Sequence, residues 1–395
     1  MGACMKIAVI TSGILPVPAV QGGAVENLVD FYLEYNKIHK LHDITIYSIY
    51  DKKVNEFISA HSNNHYKYVN TNSLIAKIRR KIFQYIHKNG YYNNYIEYFF
   101  YQVMQDIKKQ SFDLIISENR PGYVIKLSQV TRAKIILHLH NDLLNRKTEE
   151  AHKIFNKCSL IIAVSNYIKH RVESIDVTSK IDVVHNGIDV ENFQKRIPAN
   201  RKQFGFTTDD FIVVFSGRII KEKGIKELLE AFILLRKYPQ IKLLIIGGSF
   251  FGNDLQENEF MKEIHQIALP LKQRIIFTGF KSYSEIPRLL SMSDIAIIPS
   301  IWEEPFGLTV VEAMAVGLPL IVTNSGGISE VVNPECAIIL DNDEHLVDQI
   351  AQNILMLYRD KNKRNIMSLQ GKQHSNLFHK EKYAIDFFSK IAQIL

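Results

Sequence analysis

The sequence predicts an α/β fold made of two similar halves, each with a parallel β-sheet covered by helices. Short β-branched runs alternate with longer segments of helical periodicity along the whole chain, as expected for strands joined by crossover helices. A polar stretch at residues 186–210 interrupts this alternation near the midpoint and indicates a domain boundary. Because ligands bind at the carboxyl ends of strands in such sheets, functional residues are expected in the loops that follow strands.

Twelve short apolar segments are predicted to be strands, six in each half. In the first half they are residues 6–11, 44–48, 113–117, 134–139, 160–164 and 182–185, and in the second half 211–216, 242–247, 274–278, 295–299, 320–323 and 337–340. The last segment, 375–395, has apolar residues at helical spacing and is predicted to be a terminal helix.

Composition indicates a globular protein of the cytoplasm. The 395 residues, 46% of them hydrophobic, are enough for two buried cores. Cys4, Cys158 and Cys336 are scattered and odd in number, which argues against a disulfide framework or a thiolate metal site and fits a reducing compartment. The chain enters a strand at once, without signal-peptide features, so export is not expected. No apolar run approaches the roughly 20 residues needed to cross a bilayer, so any membrane contact is expected to be peripheral.

The charge balance favours an anionic partner. The formal net charge is +7 and the pI is near 9.0, which suits a nucleotide diphosphate or an anionic membrane leaflet. No nucleic-acid-binding motif accompanies this charge, so nucleic acid is not an expected partner.

The most informative segment runs from Glu304 to Met314, where two carboxylates, Glu304 and Glu312, flank a glycine that opens a helix. Gly307 lets backbone N–H groups approach a phosphate at the positive end of the helix dipole. Pro305, together with Gly317 and Pro319 farther on, makes the pattern more specific than a bare pair of glutamates. The segment therefore predicts a nucleotide-sugar site.

Two cations follow the predicted strand 211–216. Arg218 and Lys223 lie in the loop that leads into a helix near Gly224, so both can project from the carboxyl end of a strand towards a diphosphate. Their neighbours Lys221 and Glu222 are interpreted as ordinary solvated loop residues.

In the first half, Gly22 and Gly23 precede a helix and would allow the backbone to approach a phosphate closely. His138 and His140 lie at alternate positions of a strand, with Asp142 beyond them. This spacing leaves a metal site as an alternative, but the sequence shows no further ligand cluster. His138 is interpreted as a packed strand residue.

These ordered motifs resemble the family 4 glycosyltransferases. The resemblance covers nearly the whole chain and also includes Asn186-Gly187-Ile188-Asp189, Gly326-Gly327-Ile328 and Glu330. It implies a GT-B fold, with two Rossmann-like domains facing each other across a cleft. Residues 1–187 would then form the acceptor domain, residues 188–374 the nucleotide-sugar donor domain, and residues 375–395 a helix that crosses back to the first domain.

The resemblance also implies roles for individual residues. Arg218 and Lys223 would stabilise the departing diphosphate, helped from the other domain by Gly22 and Gly23. Glu304 would lie beside the transferred sugar, and His140 would lie near the sugar and the acceptor. Glu312 would hold the ribose hydroxyls as an ionised acceptor. Backbone amides for the sugar and phosphate would come from Phe306, Gly307, Leu308 and Thr309.

A metal cofactor is not expected. Asp341-Asn342-Asp343 has the spelling of a metal-binding Asp-x-Asp signature, but its place between a strand and a helical segment favours a turn and helix N-cap. Arg218, Lys223 and helix ends can balance the phosphate charge instead.

The resemblance therefore implies a retaining glycosyltransferase. It would move a sugar from a nucleotide diphosphate, a UDP-sugar being expected, to a glycan or lipid-linked acceptor in the synthesis of lipopolysaccharide, capsule or another cell-surface polysaccharide. A nucleotide-sugar epimerase of the same fold and a non-catalytic nucleotide-sugar-binding subunit are the alternatives.

The expected acceptor domain contains one further sequence pattern. Residues 66–101 mix aromatic side chains with cations that include Lys77, Arg79, Arg80, Lys81 and Lys88. Contact with the inner leaflet of the cell membrane and a helical layer covering the first sheet explain this segment equally well.

Overall fold

The structure is a computed structural model that describes residues 4–56, 65–86, 94–177, 180–195, 199–248 and 259–394. The chain divides into two compact units. The first comprises Met1–Asn186 with Lys380–Leu395, and the second comprises Gly187–His379. Each unit contains one parallel β-sheet with helices, so the predicted α/β fold is confirmed.

The first unit is built on a sheet with strand order β3-β2-β1-β4-β5-β6-β7. Its interior strands are apolar runs that are buried almost throughout, as expected for a parallel sheet covered on both faces. The strands are β1 (Lys6–Ile10), β2 (Asp43–Ile49), β3 (His65–Val69), β4 (Leu114–Glu118), β5 (Lys134–Leu139), β6 (Leu160–Ala163) and β7 (Ile181–Val183). The helices of this part of the chain are α1 (Ala24–His39), α2 (Leu74–Ile86), α3 (Asn94–Ile107), α4 (Tyr123–Leu127), α5 (Ala151–Lys157) and α6 (Asn166–Glu173).

The second unit has a sheet with strand order β10-β9-β8-β11-β12-β13. Its strands are β8 (Phe211–Ser216), β9 (Ile241–Ile246), β10 (Ile275–Phe277), β11 (Ile295–Ile298), β12 (Leu320–Thr323) and β13 (Ala337–Leu340). Its helices are α7 (Val190–Gln194), α8 (Ile225–Leu234), α9 (Glu259–Ala268), α10 (Ile286–Ser291), α11 (Leu308–Val316), α12 (Ile328–Val331), α13 (Leu346–Arg359) and α14 (Lys361–Ser375). One face of the sheet packs against α8 and α13 in a continuous apolar core that includes Phe215, Phe232 and Ile354.

Each of the twelve predicted strands lies within two residues of an observed one, but β3 was missed. This edge strand pairs in parallel with β2 and is only partly buried. Its sequence, His-Tyr-Lys-Tyr-Val, mixes aromatic and polar residues and therefore lacks the buried apolar run that marks the other strands. The basic-aromatic segment 66–101 thus begins inside the sheet and continues through α2 and α3. Residues 87–93, which include Lys88, lie outside the described part of the chain.

The terminal helix begins later than predicted. α14 ends at Ser375, and a further helix, α15 (Lys380–Ala392), starts five residues on. His379 is extended and forms a bridge to Ile188 in the second unit, which interrupts the helical segment. α15 packs on α1 of the first unit, where Phe387 stacks on Tyr32 with ring centroids 4.5 Å apart. Among the described residues, no helix is long and apolar enough to span a membrane.

Candidate active site

The strand order of the second unit places several predicted site residues at one edge of its sheet. The chain runs outwards in one direction from β8 and in the other from β11, and these two strands are neighbours. Such a reversal opens a crevice at the carboxyl ends of the two strands, where α/β proteins bind ligands. The loops after β8 and β11 carry Arg218 with Lys223 and Glu304 respectively, and the loop after β12 carries Gly326-Gly327.

Lys223 and Glu304 form an ion pair across this crevice. The ammonium nitrogen of Lys223 donates to Glu304 Oε1 at 2.5 Å, and the hydroxyl of Ser300 donates to the same oxygen at 2.6 Å. The two charged side chains are only 19% and 7% exposed. Gly224 adopts a φ of +67°, and a Cβ there would lie 1.8 Å from the carbonyl oxygen of Pro299. The absence of a side chain thus lets the β8 and β11 loops meet and brings the pair together.

The loop after β12 supports Glu304 from the other side. The N–H of Gly327 donates to the carbonyl oxygen of Glu304 at 2.7 Å. A Cβ on Gly326, which has a φ of +54°, would lie 2.3 Å from that same oxygen. The hydroxyls of Thr323 and Ser325 both donate to the carbonyl of Ser300. The Gly326-Gly327 motif is therefore a contact surface for the Glu304 loop.

Gly307 begins helix α11 with a φ of +102°, and no described side chain caps this end of the helix. Phe306 is buried, while Gly307, Leu308 and Thr309 are partly exposed. Because the first N–H groups of a helix have no partner within the helix, this turn presents donors and a positive dipole end to the crevice. The geometry agrees with the predicted role of these four residues, which remains a prediction.

Glu312 lies farther along α11 and is buried, with only 8% of its surface exposed. Burial raises the pKa of this carboxyl to about 8, so in the free protein Glu312 is largely protonated at neutral pH. The sequence analysis predicted an ionised Glu312 that only accepts hydrogen bonds. In the protein without ligand, the protonated carboxyl instead has one O–H donor as well as acceptor oxygens. Burial, with the charges of Glu312 and Asp189, also holds the pKa of nearby Tyr283 well above its usual range.

Arg218 and Glu312 line one cavity of the second unit. Arg218 itself is exposed, as are Lys221 and Glu222. The cavity wall also includes a second cation, Lys281, and the backbone around Gly247. The sequence analysis missed Lys281 and Gly247. Both follow strands, β10 and β9, and so lie in loops where ligand-binding residues are expected. Three neighbouring strands, β8, β9 and β10, thus contribute to one pocket with cations beside a carboxyl group.

In the first unit, Gly22 and Gly23 connect the β1 loop to α1. Both have positive φ, +77° and +110°. A Cβ on Gly23 would lie 2.2 Å from Glu26 Oε2 and 2.8 Å from Leu15 Cδ1, whereas one on Gly22 would meet nothing within 4 Å. Burial raises the pKa of Glu26 to about 7. Gly23 is therefore favoured by its positive φ, and a side chain there would also have to displace the ends of Glu26 and Leu15. The predicted phosphate contact of the two glycines stays a prediction.

His140 directly follows β5 and contacts a buried carboxylate from the neighbouring strand. Its Nε2 lies 2.8 Å from Glu118 Oε2, and Nδ1 of His138 lies 3.0 Å from the same oxygen without the alignment of a hydrogen bond. The structure thus brings Glu118 beside the two histidines as a third possible metal ligand, which the sequence analysis did not find. The oxygen is, however, at hydrogen-bonding distance from an imidazole nitrogen, and the second carboxylate oxygen accepts the Tyr32 hydroxyl at 2.8 Å. This arrangement is that of a hydrogen-bonded network.

The Asp341-Asn342-Asp343 segment leads into a turn that starts at Asp343, where the N–H of Leu346 donates to the Asp343 carbonyl. Asp343 Oδ1 accepts the backbone N–H of His345 at 2.9 Å, and Asn342 donates to the carbonyl of Ile301. The N-cap of α13 is His345 rather than Asp343. The side chains of Asn342 and Asp343 thus bind backbone groups, one in the loop after β11 and one in the turn before α13.

Two family models match this chain. The model described as Glycosyltransferase Family 4 matches residues 54–192, and the model described as Glycosyl transferases group 1 matches residues 196–374.

Similar proteins span most or half of the chain. One similar protein is YtcC of Bacillus subtilis strain 168, which carries a provisional glycosyltransferase name. It is 30% identical over 388 residues, which are 94% of this chain and 87% of YtcC. The lipopolysaccharide 1,2-N-acetylglucosaminetransferase of Salmonella typhimurium strain LT2 is 30% identical over 202 residues, 51% of each protein. The crystal structure of Anabaena Alr3699/HepE in complex with UDP and glucose has the same fold, with a TM-score of 0.75, 22% identity and coverage of 98% of this chain and 99% of that one.

Proposed function

The chain belongs to the glycosyltransferases, in the family that combines the family 4 and group 1 domains, and on that premise we propose its substrates and mechanism. It transfers a sugar from UDP, with retention of configuration, to a glycan or lipid-linked acceptor during synthesis of a cell-surface polysaccharide. The UDP and glucose of the Alr3699/HepE complex and the lipopolysaccharide substrate of the Salmonella relative support this choice.

One observation carries the proposal: the Lys223–Glu304 ion pair at the crevice between β8 and β11. Lys223 can contact a diphosphate while it stays beside Glu304, because an ammonium group has three donors. Arg218, from the same loop, offers a fork of donors that matches phosphate oxygens. Both cations then stabilise the charge that grows on the diphosphate as its bond to the sugar breaks.

Glu304 acts as a fixed negative charge beside the sugar. Lys223 and Ser300 hold its Oε1, so the carboxylate is positioned to stabilise the positive charge that develops at the anomeric carbon. The acceptor oxygen attacks that carbon on the side of the leaving group, the bond to the diphosphate breaks, and the acceptor proton passes to a diphosphate oxygen. This course leads to an α-linked product from an α-configured donor.

Transfer proceeds without a divalent cation in this proposal, because Arg218, Lys223 and the start of α11 supply the positive charge. The test is the transfer rate with excess EDTA and with added magnesium. Equal rates support the proposal, and a rate that falls with EDTA and recovers with magnesium would contradict it.

The first unit, which binds the acceptor in this proposal, contacts the cytoplasmic face of the membrane through helix α2. Leu74, Ile75, Ile78, Ile82 and Tyr85 fall on one face of this helix and are each between 54% and 76% exposed. Ala76, on the opposite face, is buried. The helix contains Lys77, Arg79, Arg80 and Lys81 and no acidic residue. An exposed apolar face flanked by cations is the pattern of a helix that lies in an anionic membrane interface.

Vesicle sedimentation tests this contact. We expect binding to vesicles that contain phosphatidylglycerol and little binding to neutral phosphatidylcholine vesicles. Replacing Ile78 and Ile82 by Ser should weaken binding, whereas Leu234→Ser, at an apolar position of the other unit that is 52% exposed, should not. Equal binding by both variants would exclude α2 as the contact.

The reaction itself is tested by NMR with UDP-sugars and lipid-linked acceptors. An α-anomeric product that forms only when acceptor is present supports the proposal. Interconversion of the nucleotide sugar without acceptor would instead identify an epimerase, and a β-anomeric product would contradict retention.

A further inference from the structure

The first unit contains a buried network around Glu118 that the proposed reaction does not yet explain. Glu118 ends β4 and is completely buried, as is His138, while His140 is 6% exposed. Tyr32 on α1 donates to one carboxylate oxygen of Glu118, and the imidazoles of β5 and its following loop approach the other. Phe387 of α15 covers the network, with its ring centroid 5.1 Å from that of His138 and 4.5 Å from that of Tyr32.

The protonation states within this network follow from its contacts. Burial opposes the ionisation of Glu118, but the electrostatic effect of the two imidazoles beside it, His138 and His140, outweighs it and holds the pKa of the carboxyl well below its usual range. Burial, together with His138, lowers the pKa of His140 to about 4, although Glu118 acts in the opposite direction. At neutral pH the contact is therefore between a carboxylate and a neutral imidazole.

A neutral imidazole carries one N–H, and a carboxylate can only accept. The proton of His140 must then lie on Nε2, which is 2.8 Å from Glu118 Oε2. Nδ1 is left as an acceptor, and no described residue donates to it. The backbone fixes the position further, because the N–H of His140 donates to Oδ1 of Asn119, the residue after Glu118.

We propose that Glu118 is a positioning residue that holds His140 in its Nε2–H form, so that Nδ1 accepts a hydrogen bond from a hydroxyl of the acceptor. This inference rests on the proposed function, since it needs an acceptor that binds at His140 in the first unit. An unprotonated Nδ1 matches an O–H donor and does not match a phosphate oxygen, which can only accept. The role of Tyr32 is to keep the carboxylate of Glu118 in place.

The proton position is measured without substrate. Selective ¹⁵N labelling of histidine, with the resonances assigned through a His140→Asn variant, reports which ring nitrogen carries hydrogen. We expect Nε2–H and a lone pair on Nδ1 in the unmodified protein at pH 7. A proton on Nδ1, or a stoichiometric metal ion that replaces the Nε2 proton, would overturn the proposal.

Two buried tyrosines provide a matched pair for the kinetic test. The Tyr32 hydroxyl donates to Glu118, whereas the Tyr383 hydroxyl, also completely buried and close enough to sense the Glu118 charge, has no hydrogen-bond partner among the described residues. We expect Tyr32→Phe to lower kcat roughly 3- to 30-fold with little change in KM for the nucleotide sugar. Tyr383→Phe should keep both values, because it removes a hydroxyl that orients nothing.

Glu118→Gln gives a stronger perturbation. We expect mixed His140 tautomers and a kcat lower by roughly 10- to 100-fold. Equal kcat values for the two tyrosine variants, or a Glu118→Gln variant with unchanged tautomer and kcat, would overturn the inference. If the unmodified protein transfers no sugar while His140 shows the Nε2–H form, the proposed function fails and the positioning of His140 by Glu118 stands.

Discussion

The protonation of Glu312 leads to a prediction about stability. Replacing this residue by Gln keeps the shape of the protonated carboxyl and removes its ability to ionise. Folding raises the pKa of Glu312 from 4.5 to about 8 because the side chain is buried in α11. Between these two pH values the folded state therefore binds a proton that the unfolded state releases.

The sign and size of the effect follow from proton linkage. Stability falls with rising pH wherever the folded state binds more protons. The contribution of Glu312 is thus most favourable below about pH 4.5, declines up to about pH 8 and is constant above it. The full loss is of the order of 5 kcal/mol at 1.36 kcal/mol per pKa unit, an upper limit because relaxation and water entry reduce it.

The assay is thermal unfolding of the unmodified protein and of Glu312→Gln from pH 5 to pH 9. The difference in Tm between the two proteins removes the contribution of every group that titrates alike in both. We expect nearly equal Tm values at pH 5 and a variant that is more stable by several degrees at pH 9. Glu303→Gln, at an exposed neighbouring position, is the control and should show no such slope. A Tm difference for Glu312→Gln that does not change across this range would refute the reasoning.

Three further outcomes are expected at the same sheet edge. Glu304→Gln should lower kcat by roughly 10²- to 10³-fold with a small change in UDP affinity, because the fixed charge beside the sugar is lost; steady-state kinetics and calorimetry check this, and an unchanged kcat would remove Glu304 from the mechanism. Lys223→Met should weaken UDP binding and also lower Tm, because it leaves Glu304 buried without its cation; a variant that binds UDP normally would contradict the assigned role. Gly326→Ala should reduce both Tm and activity, because its Cβ would lie 2.3 Å from the Glu304 carbonyl oxygen. The control Gly205→Ala, at a φ of +74° with open space around it, should lose only about 1–2 kcal/mol of stability and no activity. Equal effects of the two substitutions would show that backbone strain alone matters.

Much of the fold is already present in local sequence patterns. Interior strands of a parallel sheet are buried on both faces and therefore appear in the sequence as β-branched runs of four to six residues. These runs predicted all the interior strands close to their observed positions. β3 was missed because an edge strand need not be apolar. The late start of α15 was missed as well, because the helical periodicity continues through the extended residue His379.

The candidate site was only partly accessible to the same reasoning. Gly307, Lys223 and Glu304 belong to short motifs whose residue types state their chemistry. Other site residues do not: Ser300 and Lys281 look like ordinary loop residues, and Glu118 looks like the polar end of a strand. Ser300 acquires its role from Glu304, four residues on, whereas Lys281 and Glu118 acquire theirs from neighbours that are distant in sequence.

By itself, the sequence determined which segments form strands and helices and which loops carry phosphate-binding and carboxylate chemistry, because periodicity and residue type are local properties. Only the tertiary structure decided that Lys223 pairs with Glu304, that Glu118 contacts His140 and that Glu312 is protonated when free. Contacts of this kind depend on which strand ends become neighbours in the sheet, and pKa shifts depend on how much water the surrounding elements exclude. The spacing of residues along the chain determines neither which strand ends are neighbours nor how much water is excluded.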